Sequence, residues 1–187
     1  MKRPNILWAA PLALATAGLV IFLPTLNAAK AAAAPDSEHV LKLLSDAKTT
    51  AFQLKEDAEA MESFTRANVT WESHAKAITM IKDHVNELGR IADKLREARA
   101  EASPWQKTAI NRITPFLDEL GGYTSAVIEH INANPQHLDT AEYKDYLEAN
   151  VDYSTDMAAM ISDFVNFGKT KARFERLSDK LELPASR

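Results

Sequence analysis

The sequence predicts an all-α fold: an up-down-up-down bundle of four long helices behind an N-terminal export segment. Glycine is scarce, with five in 187 residues, and strong helix formers dominate the chain. Beyond residue 35 the apolar residues recur at steps of three and four, which is the spacing of one helix face. Short polar connections separate these patterns, so we expect consecutive helices to run antiparallel.

Residues 1–33 have the order of a secretory signal peptide. The basic pair Lys2-Arg3 is followed by an apolar stretch at residues 6–24 and then by a segment rich in alanine. This order predicts export and leaves residues 34–187 as one helical-bundle domain, periplasmic or secreted.

Two interpretations of the apolar stretch stay open. Cleavage after Ala33 would put small residues at the two positions that signal peptidases read, and Ala29 and Ala31 offer alternative sites. The stretch at 6–24 is also close to the length that spans a bilayer, so it could remain as an anchor in the inner membrane. Apart from this segment, the sequence predicts no contact with a membrane.

Composition excludes several classes of protein. The chain has no cysteine, which rules out disulfides, thiolate metal sites and covalent c-type haem. Without the three cations of the segment 1–33, 19 of the 22 cations face 26 acids, a net charge of −7. Such an acidic, mixed-sign surface argues against nucleic acid as a partner.

The first two helices are predicted at about 36–64 and 70–102. The first carries one apolar stripe: Val40, Leu44, Ala47, Ala51, Leu54, Ala58 and Met61. The second carries two series spaced by seven: Trp71, Ile78, Val85 and Ala92, and His74, Ile81, Leu88 and Leu95.

The third helix is predicted at 103–133. Ser103 and Gln106 form a capping box around a favourable proline at the first helical position. Pro115 and the pair Gly121-Gly122 are expected to bend this helix, because proline removes a donor and glycine is a poor helix former.

The fourth helix is predicted at about 139–181, after a capping box formed by Asp139 and Glu142. Two series spaced by seven define its expected buried face: Tyr146, Tyr153, Met160, Phe167, Phe174 and Leu181, and Tyr143, Asn150, Met157 and Phe164. Its expected length beyond the other helices makes a homodimer plausible.

No metal or cofactor is predicted. The chain has neither Glu-x-x-His nor His-Glu-x-x-His, the motifs by which helical bundles hold metals. Non-covalent haem would need His74 or His130 together with one of the methionines at 61, 80, 157 and 160. The simpler interpretation is that these methionines fill gaps in the core.

Polar residues on the apolar stripes are expected to gather at one end of the bundle, near Trp71. They are His74, His130, Tyr143, Tyr146 and Asn150. One hypothesis is a small pocket for a ligand. The preferred one is a set of hydrogen bonds that fixes the register of the helices.

No arrangement of nucleophile, base and orienting group is visible, so no enzymatic activity and no catalytic residue is predicted. The sequence favours a non-enzymatic helical bundle of the cell envelope that binds a protein partner, pairs with a second copy or has a structural role. The alternative is a periplasmic bundle that binds a small ligand or a cofactor such as haem or a metal.

Overall fold

The computed structural model of the chain describes residues 34–67 and 69–183. The predicted export segment lies outside these residues. The described part is helical and contains no β-strand, which confirms the predicted all-α class. Its four helices are α1 (Glu38–Ser63), α2 (Trp71–Glu97), α3 (Pro104–Ala133) and α4 (Ala141–Lys180).

The predicted helix bounds agree with the structure within about two residues, except at the end of the second helix. There α2 ends at Glu97, and the chain tightens into a 3₁₀ turn at Ala98–Ala100. Ser103 is extended, with φ −67° and ψ 167°, because a residue that precedes proline is disfavoured in the α conformation. A continuous helix to residue 102 is therefore not formed.

The helices pack into a bundle around one apolar core. α1 and α3 each pack against both α2 and α4. Every buried apolar side chain of the described residues lies between Val40 and Val165. Residues 34–183 thus enclose an apolar core between their own helices, and we expect them to fold without the segment 1–33.

The apolar stripe predicted for the first helix is confirmed, since all seven of its residues are buried. In α2 the series through His74 is buried throughout, whereas Trp71 is 45% exposed. Trp71 occupies the first position of its helix, where the start of the helix leaves one side open to solvent.

One of the two series predicted for the fourth helix is wrong in its second half. Its member Met160 is buried, and Tyr146 and Tyr153 pack half-buried against the core. Phe167, Phe174 and Leu181 are exposed by 52%, 54% and 61%. The residues that follow the first four members of this series by one position face the core. They are Leu147, Ser154, Ile161 and Gly168, and all four are buried. Large aromatic residues define the predicted series, whereas the small Ser154 and Gly168 carry no hydrophobic signal.

α3 runs without interruption through Pro115 and through Gly121-Gly122. Neither feature ends the helix, and the bend expected at these residues stays a prediction. Within the described part of the chain, no helix combines the length and the apolar character needed to cross a bilayer.

Candidate functional site

A histidine–tyrosine cluster, formed by His74, His130 and Tyr143, joins the start of α2, the end of α3 and the start of α4. His74 Nδ1 lies 2.7 Å from the Tyr143 hydroxyl. The His130 ring stacks on the Tyr143 ring with 5.0 Å between centroids. Phe64, just after α1, meets His74 edge-on at 5.2 Å. The cluster therefore connects α2, α3 and α4, and Phe64 links it to the end of α1.

Burial keeps the hydrogen-bonded pair of this cluster neutral. The exposed fractions of His74 and Tyr143 are 2% and 0%. Desolvation lowers the pKa of His74 below its usual value and raises the pKa of Tyr143 well above its own. The contact between the two side chains is consequently a hydrogen bond between uncharged groups near neutral pH.

Asn150 makes a second buried contact between α3 and α4. Its Oδ1 accepts from the Thr124 hydroxyl at 3.0 Å, and its Nδ2 donates to the Tyr146 carbonyl at 2.9 Å. The Tyr146 hydroxyl points outward and donates to Glu142 at 2.7 Å. Of the five predicted residues, three form the histidine–tyrosine cluster. Asn150 pairs separately with Thr124, and Tyr146 makes a contact at the surface.

The amide of Asn150 accepts one hydrogen bond and donates one to these protein partners, and the Tyr143 hydroxyl bonds to His74. This mutual satisfaction fits the register hypothesis better than a ligand site. Thr124 was not predicted, although it lies on the buried side of α3, four residues after Leu120 and three before Val127. That spacing could have identified it.

A cavity of about 520 Å³ lies beside His74. Its lining is mostly polar and comes from the α1–α2 and α3–α4 connections and the start of α2: Phe64, Thr65, Ala67, Val69, Thr70, Trp71, Glu72, His74, Pro135, Gln136, Leu138 and Asp139. In residues 34–67 and 69–183 no three histidine, aspartate or glutamate side chains come close enough to share a metal ion.

An N-terminal clasp, formed by Asp36, Ser37, Trp105, Gln106 and Lys171, fixes the chain ahead of α1. The Gln106 side chain is fully buried. Its Oε1 accepts from the backbone N–H of Ser37 at 3.0 Å, and its Nε2 donates to the Ser37 carbonyl at 2.9 Å. The same Oε1 accepts from the Ser103 N–H at 2.9 Å, which is half of the predicted capping box.

Asp36 supplies the charged part of the clasp. Its carboxylate accepts from Trp105 Nε1 at 2.7 Å and from Lys171 Nζ at 3.0 Å. Burial alone would raise the pKa of Asp36, but the polar groups of Ser103, Lys171 and Trp105 outweigh it and lower that pKa. The sequence did not predict this clasp, because its partners are 69 and 135 positions apart.

An apolar groove of about 620 Å³ lies between α3 and α4. We call it the α3–α4 groove, and its lining residues are Trp105, Thr108, Arg112, Met160, Asp163, Phe164 and Phe167. Phe167 meets Trp105 edge-on at 5.3 Å, and the Arg112 guanidinium lies 5.9 Å from the centre of the Phe164 ring. The groove therefore presents aromatic surface with one cation and one acid beside it.

Comparison with known proteins gives no relative: no protein family, no curated protein and no solved structure matches the chain.

Proposed function

We propose that this chain is an exported, non-enzymatic helical bundle of the cell envelope, and that it binds a protein partner through the α3–α4 groove. The observation that carries the proposal is the exposed aromatic surface of that groove. Phe167 is 52% exposed beside the half-buried Trp105. Exposed aromatic residues next to an arginine are typical of surfaces that bind proteins.

The groove favours a partner segment that combines one apolar anchor with charges of both signs. Arg112 and Asp163 line the same groove, so a partner could meet each with an opposite charge. The histidine–tyrosine cluster and the Asn150–Thr124 pair, in contrast, take their hydrogen-bond partners from the bundle itself. Binding at the surface is therefore better supported than chemistry in the core.

A photo-cross-linking amino acid at Phe167 tests the groove in intact cells. We expect one constant protein adduct from position 167 and a weaker adduct in an Arg112→Glu background, because the groove would lose its cation. The matched control is the same amino acid at Met80, which is 45% exposed on α2. Equal adducts from both positions, or none from position 167, would contradict the proposal.

Export is supported by the order of basic, apolar and small residues in the segment 1–33. Fusion of the full chain to reporters active only outside or only inside the cytoplasm tests it. The N-terminal residue of the mature protein then separates the two forms. A start between Lys30 and Pro35 indicates a free bundle, and an intact Met1 indicates an anchored one.

We also propose that the four helices follow each other in an up-down-up-down arrangement. Two contacts support it: His74 at the start of α2 meets Tyr143 at the start of α4, and Asp36 before α1 meets Lys171 late in α4. Because the chain has no cysteine, pairs of spin labels can be placed freely. Labels at Lys42 and Lys169 should be closer together than labels at Lys42 and Glu62.

The cavity beside His74 favours a second candidate function, a bundle that binds a small ligand or cofactor. An absorbance spectrum and metal analysis of the protein purified from its native host would separate the two. A Soret band or a stoichiometric metal would support this alternative and count against the groove as the main site.

A further inference from the structure

The end of α4 carries an apolar stripe that the bundle does not cover. From Arg173 to Leu183 every residue except Ser178 is exposed, and we call these residues the α4 overhang. Phe174, Leu177 and Leu181 are exposed by 54%, 47% and 61%. At 3.6 residues per turn they share one face of the helix, and Leu183 just beyond α4 is 54% exposed as well.

The charges of the overhang are sorted around this stripe. Arg173 and Lys180 border one edge of it, and Lys171 borders the other. The remaining charged residues of this part of α4 project from the far side of the helix, at more than about 120° from the centre of the stripe: Glu175, Arg176 and Asp179. Glu182 is exposed between Leu181 and Leu183, just past the end of α4. Lys171 is paired with Asp36 at 3.0 Å and with Glu175 at 2.7 Å. The basic edge of the stripe is therefore the one that carries Arg173 and Lys180, in a chain that is acidic as a whole.

A second copy of the same helix fits this stripe poorly. In a paired coiled coil, the residues that border the two seams face each other and set the choice of partner. Here those residues are Lys171, Arg173, Ser178 and Lys180. Lys171 already pairs with Asp36 and Glu175, and an antiparallel second copy would set Arg173 and Lys180 against the same two cations. The occupant that fits is apolar and carries negative charge around the apolar contact.

The clasp places this stripe where the N-terminal segment leaves the bundle. Lys171, two residues before the overhang, bonds to Asp36 at 3.0 Å. The connection from the apolar stretch at 6–24 to the first described residue, Ala34, consists of residues 25–33 alone. That connection spans at most about 36 Å. The chain therefore enters the described bundle at the same end as the stripe.

We propose that the α4 overhang docks on an anionic lipid bilayer, with Phe174, Leu177 and Leu181 in the interfacial region and Arg173 and Lys180 at the lipid headgroups. An amphipathic helix with cations beside its apolar face binds bilayers by this combination of forces. The inference rests on the proposed export only for the position of the N-terminal segment. A failure of vesicle binding would leave the reporter result unchanged.

Vesicle binding by residues 34–187, after circular dichroism has confirmed that they fold alone, tests the proposal. The probes are vesicles of phosphatidylcholine with and without about 30% phosphatidylglycerol. We expect binding at least about tenfold stronger to the anionic vesicles, and weaker binding as salt is added. Equal binding to both, or to neither, would overturn the proposal.

Two pairs of matched variants separate the apolar from the electrostatic contribution. Phe174→Ser with Leu181→Ser should weaken binding at least about fivefold, because two exposed apolar contacts are lost, while Phe52→Ser on α1 should leave it unchanged. The double variant Arg173→Glu with Lys180→Glu should weaken vesicle binding about tenfold or more. The control, Lys76→Glu with Lys82→Glu on α2, changes the net charge by the same amount and should have a smaller effect.

A polarity-sensitive fluorophore on a single introduced cysteine reports which face enters the bilayer. We expect a blue shift at Leu177→Cys with anionic vesicles and none at Asp179→Cys on the opposite face. A shift at both positions would mean non-specific adsorption. Two other results would assign the stripe to another occupant. One is a dimer in sedimentation that is lost in the variant Phe174→Ser with Leu181→Ser. The other is a protein adduct at position 177 without vesicle binding. Each of these three results overturns the proposal.

Discussion

At the scale of single residues, the interior of this bundle contains polar groups that serve one another. His74 and Tyr143 form a neutral hydrogen bond across α2 and α4, and Thr124 and Asn150 form another across α3 and α4. A buried polar group without a partner is costly, so such pairs disfavour any shift of one helix along its neighbour. These pairs therefore favour one arrangement of the helices over others.

Removal of the Tyr143 hydroxyl should destabilise the fold. Tyr143→Phe leaves His74 Nδ1 buried without its partner, and we expect a loss of about 1–3 kcal/mol in the free energy of unfolding. The control is Tyr146→Phe, whose hydroxyl contacts only Glu142 at the surface, with an expected change within about 0.5 kcal/mol. Urea unfolding of both variants checks this, and equal losses would argue against a buried pair.

The lowered pKa of His74 predicts a loss of stability in mild acid. Between the ordinary histidine pKa of 6.5 and the lower value in the folded protein, the unfolded chain takes up a proton that the folded chain does not. His74 thus contributes stability that is complete above pH 6.5 and decreases as the pH falls below it. The measurement is urea unfolding between about pH 7 and pH 5.

The double variant His74→Leu with Tyr143→Phe isolates this effect. It removes both partners, so it should be close to the parent in stability near neutral pH and lose less stability on acidification. His137→Gln, at an exposed histidine, should keep the parent's pH dependence. An unchanged pH profile in the double variant would contradict the assignment to His74.

At the scale of helices, α4 shows which part of the fold could be predicted from the sequence. Periodicity predicted four helices and the buried face of α1, because apolar residues mark that face without interruption. It failed on one series of α4, where small residues such as Ser154 and Gly168 face the core and large apolar residues such as Phe174 face outward. Hydrophobicity alone cannot predict a contact that depends on the absence of a side chain.

Three of the five residues of the predicted polar cluster lie together in the structure. His74 and Tyr143 each lie on a seam, so their proximity followed from helix order and spacing. The clasp could not be predicted, because Asp36 and Gln106 are unremarkable in their own segments, and only the packed structure brings them to each other.

Gly168 is the point at which Trp105 packs against α4. A Cβ at this position would lie 2.9 Å from Trp105 Cη2 and 3.0 Å from Leu41 Cδ2. Trp105 cannot retreat easily, since its Nε1 bonds to Asp36 and its ring meets Phe167. We expect Gly168→Ala to destabilise the protein by about 1–3 kcal/mol despite the better helix propensity of alanine.

Gly121→Ala is the matched control within α3. A Cβ there would meet nothing within 4 Å, so alanine should stabilise the protein by about 0.5–1 kcal/mol through helix propensity. Urea midpoints of the two variants should therefore move in opposite directions. Stabilisation by both substitutions would show that Trp105 does not pack closely on α4.

At the scale of the whole molecule, the clasp joins segments that are far apart in the chain. Asp36 has a lowered pKa and Lys171 a raised one, the latter through hydrogen bonds to Glu175 and Asp36. The contribution of Asp36 is present above its ordinary pKa of 3.8 and is lost as the pH falls further. The contribution of Lys171 is complete below its ordinary pKa of 10.5 and is lost as the pH rises through its raised value.

Asp36→Asn should lower the free energy of unfolding by about 1 kcal/mol at neutral pH, because the charged partner of Lys171 is lost. The difference from the parent should vanish as the pH falls below about 4, where the parent carboxyl becomes protonated. Asp46→Asn, which breaks an exposed pair with Lys42, should change stability by less than about 0.5 kcal/mol. A difference that persists in acid would contradict the role of the charge.

The clasp also bears on the order of events while the protein matures. Asp36 lies three residues after Ala33, the cleavage position favoured by the sequence. A peptidase must hold an extended strand on both sides of the bond it cuts, whereas the folded protein holds Asp36 against Trp105 and Lys171. Under the proposed export, processing and folding would compete for the same few residues, and we expect a chain that is cut after Ala33 to meet the peptidase before its clasp closes.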